Sequence, residues 1–284
     1  MQVVKWISEL RTILDSEKSE GKTIGFVPTM GALHPGHISL VEKAGQHTDF
    51  VVVSIFVNPT QFNDKEDLKR YPRDLNKDLT LLGSTACQLV FAPEVEEVYP
   101  EPDTRRFNFG MLETVMEGKH RPGHFNGVAQ VVCKLFGMVQ PDKAFFGLKD
   151  FQQLIIIKAL VKQLTLPVEI VPCEIVREAD GLAMSSRNML LDADQRKNAV
   201  HISQTLLEAR NKTREMSVKE LCKWVITRID GNEYLKTEYF EIVDDERLQP
   251  VKSWNEPVNK VGCIAVHCGK IRLIDNIVFN EIDK

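Results

Sequence analysis

Two histidines three residues apart, His34 and His37, lie in "GFVPTMGALHPGHISLVEKA" (25–44), just after an apolar run and a sharp turn. Pro35 suits the first position of a helix, and Gly36 lets a ligand approach the main chain. A helix starting there offers unpaired N–H groups and a partial positive charge, both suited to phosphate. Two imidazoles at the same point can hydrogen-bond phosphate oxygens without the permanent charge of lysine. The alternative is a pair of partly exposed helix-start histidines, and spacing alone leaves both open.

A second group stands in "GLAMSSRNMLL" (181–191), where Ser185, Ser186 and Arg187 follow one another in a glycine-led loop. Hydroxyl, amide and guanidinium donors on one short flexible segment can hold phosphate oxygens, and Arg187 can do so bidentately. Taken alone, a loop capping the "DADQRKN" helix is the plainer reading.

The elements around these groups decide where they stand. Strands are predicted over 23–29, 50–57, 87–93, 143–147 and 168–176, and helices over 36–46, 74–83, 123–139 and 150–164. Such alternation implies right-handed crossovers and an α/β, Rossmann-like, doubly wound parallel sheet. His34 and His37 then fall at the carboxyl end of that sheet, where these folds bind ligands. The pattern changes near 176–188: helices over 192–211 and 217–230 precede strands over 237–244, 262–268 and 271–279. Gly269 and Lys270 join the last two as a tight hairpin. The expected division is a first domain, 1–176, and a smaller C-terminal α+β domain, 177–284, consistent with a chain of 284 residues.

Composition narrows the classes. Apolar residues at 43% and charged residues at 27% suit a globular chain with a real core. A net charge of −4 gives no general attraction to nucleic acid, so an anionic ligand must be held locally. The longest apolar runs fall well short of the ~18 residues a membrane span needs, and "MQVVKWISEL" lacks the apolar centre of a secretion signal. Six cysteines without CxxC spacing read as reduced core residues of a cytoplasmic protein. Cys263 and Cys268 are not expected to bind metal, for want of a full set of four ligands close in sequence.

Taken together, "HPGH" early in the chain and "AMSSR" after the sheet resemble the HIGH and KMSKS signatures of the class I adenylyl-transferring superfamily. Both elements there hold ATP while its α-phosphate is attacked. "PTMGALHPGH" (28–37), "FVNPTQF" (56–62), "RYPRDL" (70–75), "RPGHFNGVAQVV" (121–132), "FGLKDFQQL" (146–154) and "LAMSSRN" (182–188) resemble, as a set, the pantoate–β-alanine ligases, also called pantothenate synthetases.

The resemblance implies ATP-dependent joining of pantoate to β-alanine through a pantoyl adenylate, releasing pyrophosphate and AMP. It assigns Met30, Gly31, Ala32, Leu33, His34, Pro35, Gly36 and His37 to ATP, with His37 as proton donor and His34 and Lys149 beside it in catalysis. Gly147, Leu148, Lys149 and Asp150 match a second ATP loop, in which the family more often has glutamate where this chain has Leu148. Val176 matches the residue whose main chain meets adenine, and Met184, Ser185, Ser186 and Arg187 match the last ATP loop. Gln61 is assigned to pantoate and then β-alanine, and Gln153 to pantoate. Lys119, Arg121 and His124 either cover the pantoate end or form a solvated loop. Mg2+ is expected to ride on the ATP phosphates, with Asp74 and Asp78 as possible helpers and no protein metal site. The resemblance further implies a homodimer, a lid role for the C-terminal domain, and no nucleic-acid or membrane partner. The competing reading is a nucleotidyltransferase of the same superfamily, which would leave AMP on its product and would not need "FVNPTQF" or "KDFQQL".

Overall fold

A run such as "FVVVSI" has no polar face to show to water, so it is stable only where both sides are covered. In the computed structural model, which describes residues 1–62 and 65–279, this run is an inner strand of a parallel sheet. The chain begins β1 (Gln2–Val4), α1 (Ile7–Ser19), β2 (Ile24–Thr29), α2 (Pro35–His47) and β3 (Phe50–Ile55). It continues with α3 (Lys65–Arg70), α4 (Leu75–Leu82), β4 (Cys87–Phe91), α5 (Val95–Val98), α6 (Met116–His120) and α7 (His124–Val139). β5 (Lys143–Gly147), α8 (Phe151–Leu164) and β6 (Glu169–Cys173) complete the sheet. After it come α9 (Ala193–Asn211), α10 (Val218–Asp230), β7 (Leu235–Asp244), β8 (Lys260–Cys268) and β9 (Ile271–Val278).

The six strands of the large sheet run in the order β1-β4-β3-β2-β5-β6, all parallel. From β2 the chain moves one way to β3 and β4, and from β5 it moves the other way to β6. Adjacent β2 and β5 therefore flank the point where connections diverge, the place where open α/β sheets bind ligands. β2 runs out into Met30–His37, and β5 into Gly147 and Leu148. Val27, Leu33, Val41, Val53, Leu82, Val90 and Phe145 pack into one apolar cluster beneath these exits.

The doubly wound sheet and the smaller antiparallel sheet, β7-β8-β9, agree with the sequence-based expectation. Gly269, at φ +57°, makes the turn between β8 and β9. The strands expected over 50–57 and 168–176 end early, at Ile55 and Cys173. After Ile55 the chain turns within three residues into a 3-10 turn, Pro59–Gln61. The helix expected over 74–83 is α4, whereas β1, α1 and the short helices α3, α5 and α6 carry too few periodic apolar residues to stand out in the sequence.

Two compact units emerge. The first comprises Met1–Phe109, Arg121–Leu148 and Ile156–Glu174; the second comprises Gly110–His120, Lys149–Ile155 and the chain from Ile175 onward. The second unit has its own core, in which Leu206, Leu221, Val225, Phe240, Ile264 and Val266 are buried.

Candidate active site

The exit of β2 is held by groups that local sequence does not reveal. The Thr29 hydroxyl donates to the Ser54 carbonyl (2.7 Å) and accepts from the Gly31 N–H (3.2 Å). Gly31 and Ala32 then take left-handed conformations, φ +75° and +50°. For alanine this costs about 1–2 kcal/mol. The buried Asp78 carboxylate on α4 offsets it, accepting the N–H groups of Ala32 (3.0 Å) and Leu33 (2.7 Å). A Cβ on Gly31 would lie 2.9 Å from Asp78 Oδ2, so the turn and the carboxylate fit only with glycine there. Burial pushes the Asp78 pKa up, and its two N–H donors only partly oppose that. Asp74 caps α4 by accepting the Lys77 N–H (3.0 Å). Both carboxylates weighed as magnesium helpers accept main-chain N–H groups. Among the described residues no group of three or more His, Cys, Asp or Glu side chains could hold a metal ion.

Next comes the histidine pair. His34 is the N-cap of α2, with Pro35 in the first turn, and its Nδ1 accepts the Gly36 N–H (3.2 Å). His37 Nδ1 in turn accepts the His34 N–H (3.3 Å), and the two rings sit 4.0 Å apart at 41°. This is a capping box built from two imidazoles. Because each Nδ1 is an acceptor of a main-chain N–H, each neutral ring carries its proton on Nε2. The expectation of unpaired N–H groups at this helix start is corrected. From Gly31 to His37, every main-chain N–H has an acceptor within the protein: Thr29, Asp78, His37, His34 or the His34 carbonyl. Pro35 has none to give. Both imidazoles stand at the positive end of the helix dipole.

Gln61 closes the 3-10 turn Pro59–Gln61 in the same unit. Asn58, almost fully buried, accepts the N–H and hydroxyl of Thr60 and the Tyr99 hydroxyl on its Oδ1. Its Nδ2 must therefore be the donor to Gln61 Oε1 (3.1 Å), which turns Gln61 Nε2 toward Met30 Sδ (3.1 Å). Gly127 lets α7 press against this turn; a Cβ there would lie 2.4 Å from the Thr60 carbonyl oxygen. The His124 ring is part of the same support. Its Nε2 lies 3.1 Å from Arg121 Nη1 and its Nδ1 2.8 Å from the Gln61 carbonyl. Guanidinium can only donate, so the ring proton sits on Nδ1 and points at Gln61. The solvated-loop reading of His124 is thereby corrected: the side chain is buried, and it steadies Gln61. Lys119 is exposed and falls in the second unit.

In the second unit, Lys149 and Asp150 lie on the 3-10 turn Leu148–Asp150 that leads into α8, with Asp150 exposed. Gln153 is half-buried on the first turn of α8. Its neighbour Gln152 is buried and structural: it accepts the Glu117 N–H (2.9 Å) and donates to the carbonyls of Leu112 (2.7 Å) and Val115 (3.0 Å). The helix thus commits Gln152 to folding. Val176 and Met184 are joined directly, the Met184 N–H donating to the Val176 carbonyl (3.0 Å). Ser185 then caps a 3-10 turn, Ser186–Leu190, by accepting the Arg187 N–H (3.3 Å), while Ser186 is buried. Arg196 of α9 grips Glu178 (2.7 Å) and Asp180 (2.8 Å) at the base of this loop. The loop is fixed at its base, not slack.

The fold and these groups define an α/β protein of the Rossmann-like class with a histidine-capped helix at its switch point. The chain belongs to the pantoate-beta-alanine ligase family, whose model matches residues 2–278. It is 54% identical over 282 residues to the pantothenate synthetase of Bacteroides thetaiotaomicron, covering 99% of this chain and 100% of that one. It is 56% identical over 280 residues to that of Phocaeicola vulgatus, covering 98% and 99%. The crystal structure of pantothenate synthetase from Thermus thermophilus superposes with a TM-score of 0.91 at 44% identity, covering 98% of this chain and 99% of that one. The Francisella tularensis pantoate-beta-alanine ligase, solved in complex with β-γ ATP and β-alanine, gives a TM-score of 0.77 at 34% identity, covering 98% of each chain.

Proposed function

We propose that this chain is an ATP-dependent ligase that condenses pantoate with β-alanine to give pantothenate, AMP and pyrophosphate through an enzyme-bound pantoyl adenylate. The observation that carries the reading is the His34–His37 capping box at the end of β2, in a chain of the pantoate–β-alanine ligase family.

In the first half-reaction a pantoate carboxylate oxygen attacks the α-phosphorus of ATP. The bond to the β-phosphate oxygen breaks and pyrophosphate leaves with the electron pair. Negative charge grows on the phosphoryl oxygens and on the leaving oxygen. The Nε2–H groups of His34 and His37 are suited to meet it, with His37 in the proton-donor role and Lys149 adding a full positive charge. Preset tautomers mean that these donors need no rearrangement as charge develops. The remaining ATP contacts are assigned to Met30–Leu33, Pro35, Gly36, Gly147, Leu148, Asp150, Val176 and Met184–Arg187. Residues 1–176 thus carry most ATP and pantoate contacts, and 177–284 supply the last ATP loop.

Gln61 and Gln153 are assigned to pantoate, whose two hydroxyls an amide can both donate to and accept from. In the second half-reaction the neutral amine of β-alanine, beside Gln61, attacks the acyl carbon. The bond to the AMP oxygen breaks, AMP leaves, and the amine gives up a proton. Mg2+, when bound with ATP, supplies charge neutralisation at the phosphates. Residence in the cytoplasm and pairing into a homodimer belong to the same reading; no helix among the described residues is long and apolar enough to cross a membrane.

Product analysis tests the reaction class. With ATP, pantoate and β-alanine, one AMP should appear per pantothenate. ADP in its place would point to an acyl phosphate and overturn the adenylate route, and AMP retained on the product would favour the nucleotidyltransferase.

A further inference from the structure

The second unit is assembled from three separate stretches of chain, and β9 reaches all three with polar side chains. Arg272 pairs with Glu117 of the 110–120 stretch (Nη1–Oε2 2.9 Å, Nη2–Oε1 2.6 Å). Asn276 Nδ2 donates to the main-chain carbonyl of Lys149 in the 149–155 stretch (3.0 Å). Asp275 takes both arms of Arg177, at 2.7 and 3.0 Å, just before the last ATP loop. Asp275 and Asn276 are 4% and 5% exposed, so neither is a chance surface contact. A buried amide or carboxylate is costly unless its partners are fixed, so these bonds set the place of what they hold.

Both groups held are stretches assigned to ATP. The Lys149 ammonium sits on a flexible four-carbon stem, so the point from which it can reach is set by its main chain. Asn276 fixes that main chain. Arg177, held by Asp275, also donates to the Gly181 carbonyl (3.1 Å), closing the turn that ends in the Val176–Met184 hydrogen bond. Gly181 makes this closure with a positive φ of +95°. Asp275 thus governs the start of the segment leading to Ser185, Ser186 and Arg187.

We propose that Asp275 and Asn276 are positioning residues for ATP, two adjacent positions of one strand that hold the Lys149 segment and the 176–187 segment in fixed register. Neither touches nucleotide in this account; each acts through the segment it anchors. The proposal rests on the assignment of Lys149 and Arg187 to ATP made above.

A double-mutant cycle separates positioning from plain stability. Asn276→Asp keeps the shape but replaces the N–H donor with an oxygen facing the Lys149 carbonyl, and Asn276→Ala removes the group. Pantoate-dependent exchange of pyrophosphate into ATP gives kcat/KM for ATP, and thermal unfolding gives stability, for each variant alone and with Lys149→Ala. Either Asn276 variant should lower kcat/KM for ATP by ~10-fold or more alone, yet by no more than ~2-fold when Lys149 is already alanine. Asp275→Asn should behave in the same way against Arg187→Ala, which gives an independent arm should an Asn276 variant not fold. Losses that simply multiply, or an Asn276 variant within ~2-fold of wild type, would overturn the positioning role. A Lys149→Ala enzyme as fast as wild type would show a different failure, that of the ATP assignment itself, and the proposal would fall with it.

Discussion

His37 Nδ1 accepts the main-chain N–H of His34 while His34 Nδ1 accepts that of Gly36, so the two rings cap one helix and each has its tautomer set by a main-chain N–H. In the proposed mechanism, capping and chemistry use opposite nitrogens of the same side chains, and they can be taken apart by mutation.

Asparagine caps helices about as well as any residue but has no Nε2–H reaching outward. His34→Asn should therefore keep stability near wild type while adenylate formation falls ~10²-fold, the usual loss for a preorganised donor. His34→Ala should lose the same activity and also about 1 kcal/mol of stability, the cost of an absent cap. Initial rates of AMP release and urea unfolding of both variants check this. Near-normal turnover in His34→Asn would remove His34 from the chemistry.

The adjacent glutamines of α8 should separate just as cleanly. Gln153→Ala, like Gln61→Ala, should raise KM for pantoate well above any change in KM for ATP, because paired substrate hydroxyls lose their partner. Gln152→Ala should instead cost stability, about 1–3 kcal/mol, since it leaves buried main-chain groups of 112–117 without partners. Steady-state kinetics with each substrate varied, alongside unfolding curves, would detect a reversal of these roles.

Much of this was open to reading from local sequence, and the exceptions share a cause. Pro35 between two histidines marks a helix start within a handful of residues, and alternating apolar runs announce the parallel sheet. What stayed hidden acts across the chain: Asp78 bonds residues 45 and 46 positions earlier, and Asn276 meets Lys149 from 127 positions away. No local pattern marks Asp78 as a support for a left-handed alanine. The affiliation of 110–120 with the second unit was equally invisible, because it depends on Glu117 finding Arg272 and on Tyr239 donating to Glu117 (2.7 Å). Gln152 and Gln153 look alike in sequence, and only helix phase tells which one faces protein.

The Arg272 network gives a pH-dependent prediction. Burial alone would raise the Glu238 pKa, but hydrogen bonding and charge from Arg272 hold it below the usual 4.5. A carboxylate with a lowered folded pKa contributes stability that is complete above its ordinary value and lost as pH falls through the folded one. Arg272→Leu removes the cation from Glu117 and Glu238 and should destabilise the protein by about 3 kcal/mol near pH 7. The gap from wild type should narrow as pH drops below 4.5. Unfolding free energies across the acid range check this, and a gap that widens there would contradict it.

The most direct test of the central claim is exchange of labelled pyrophosphate into ATP with β-alanine left out. If pantoate is activated as an adenylate that the enzyme shields from water, the first half-reaction runs in both directions. Label should then enter ATP when pantoate is present and not when it is absent, and β-alanine should divert the adenylate to pantothenate and AMP. Exchange that proceeds equally well without pantoate, or no exchange from an enzyme that still makes pantothenate, would contradict a pantoyl adenylate formed at the His34–His37 site.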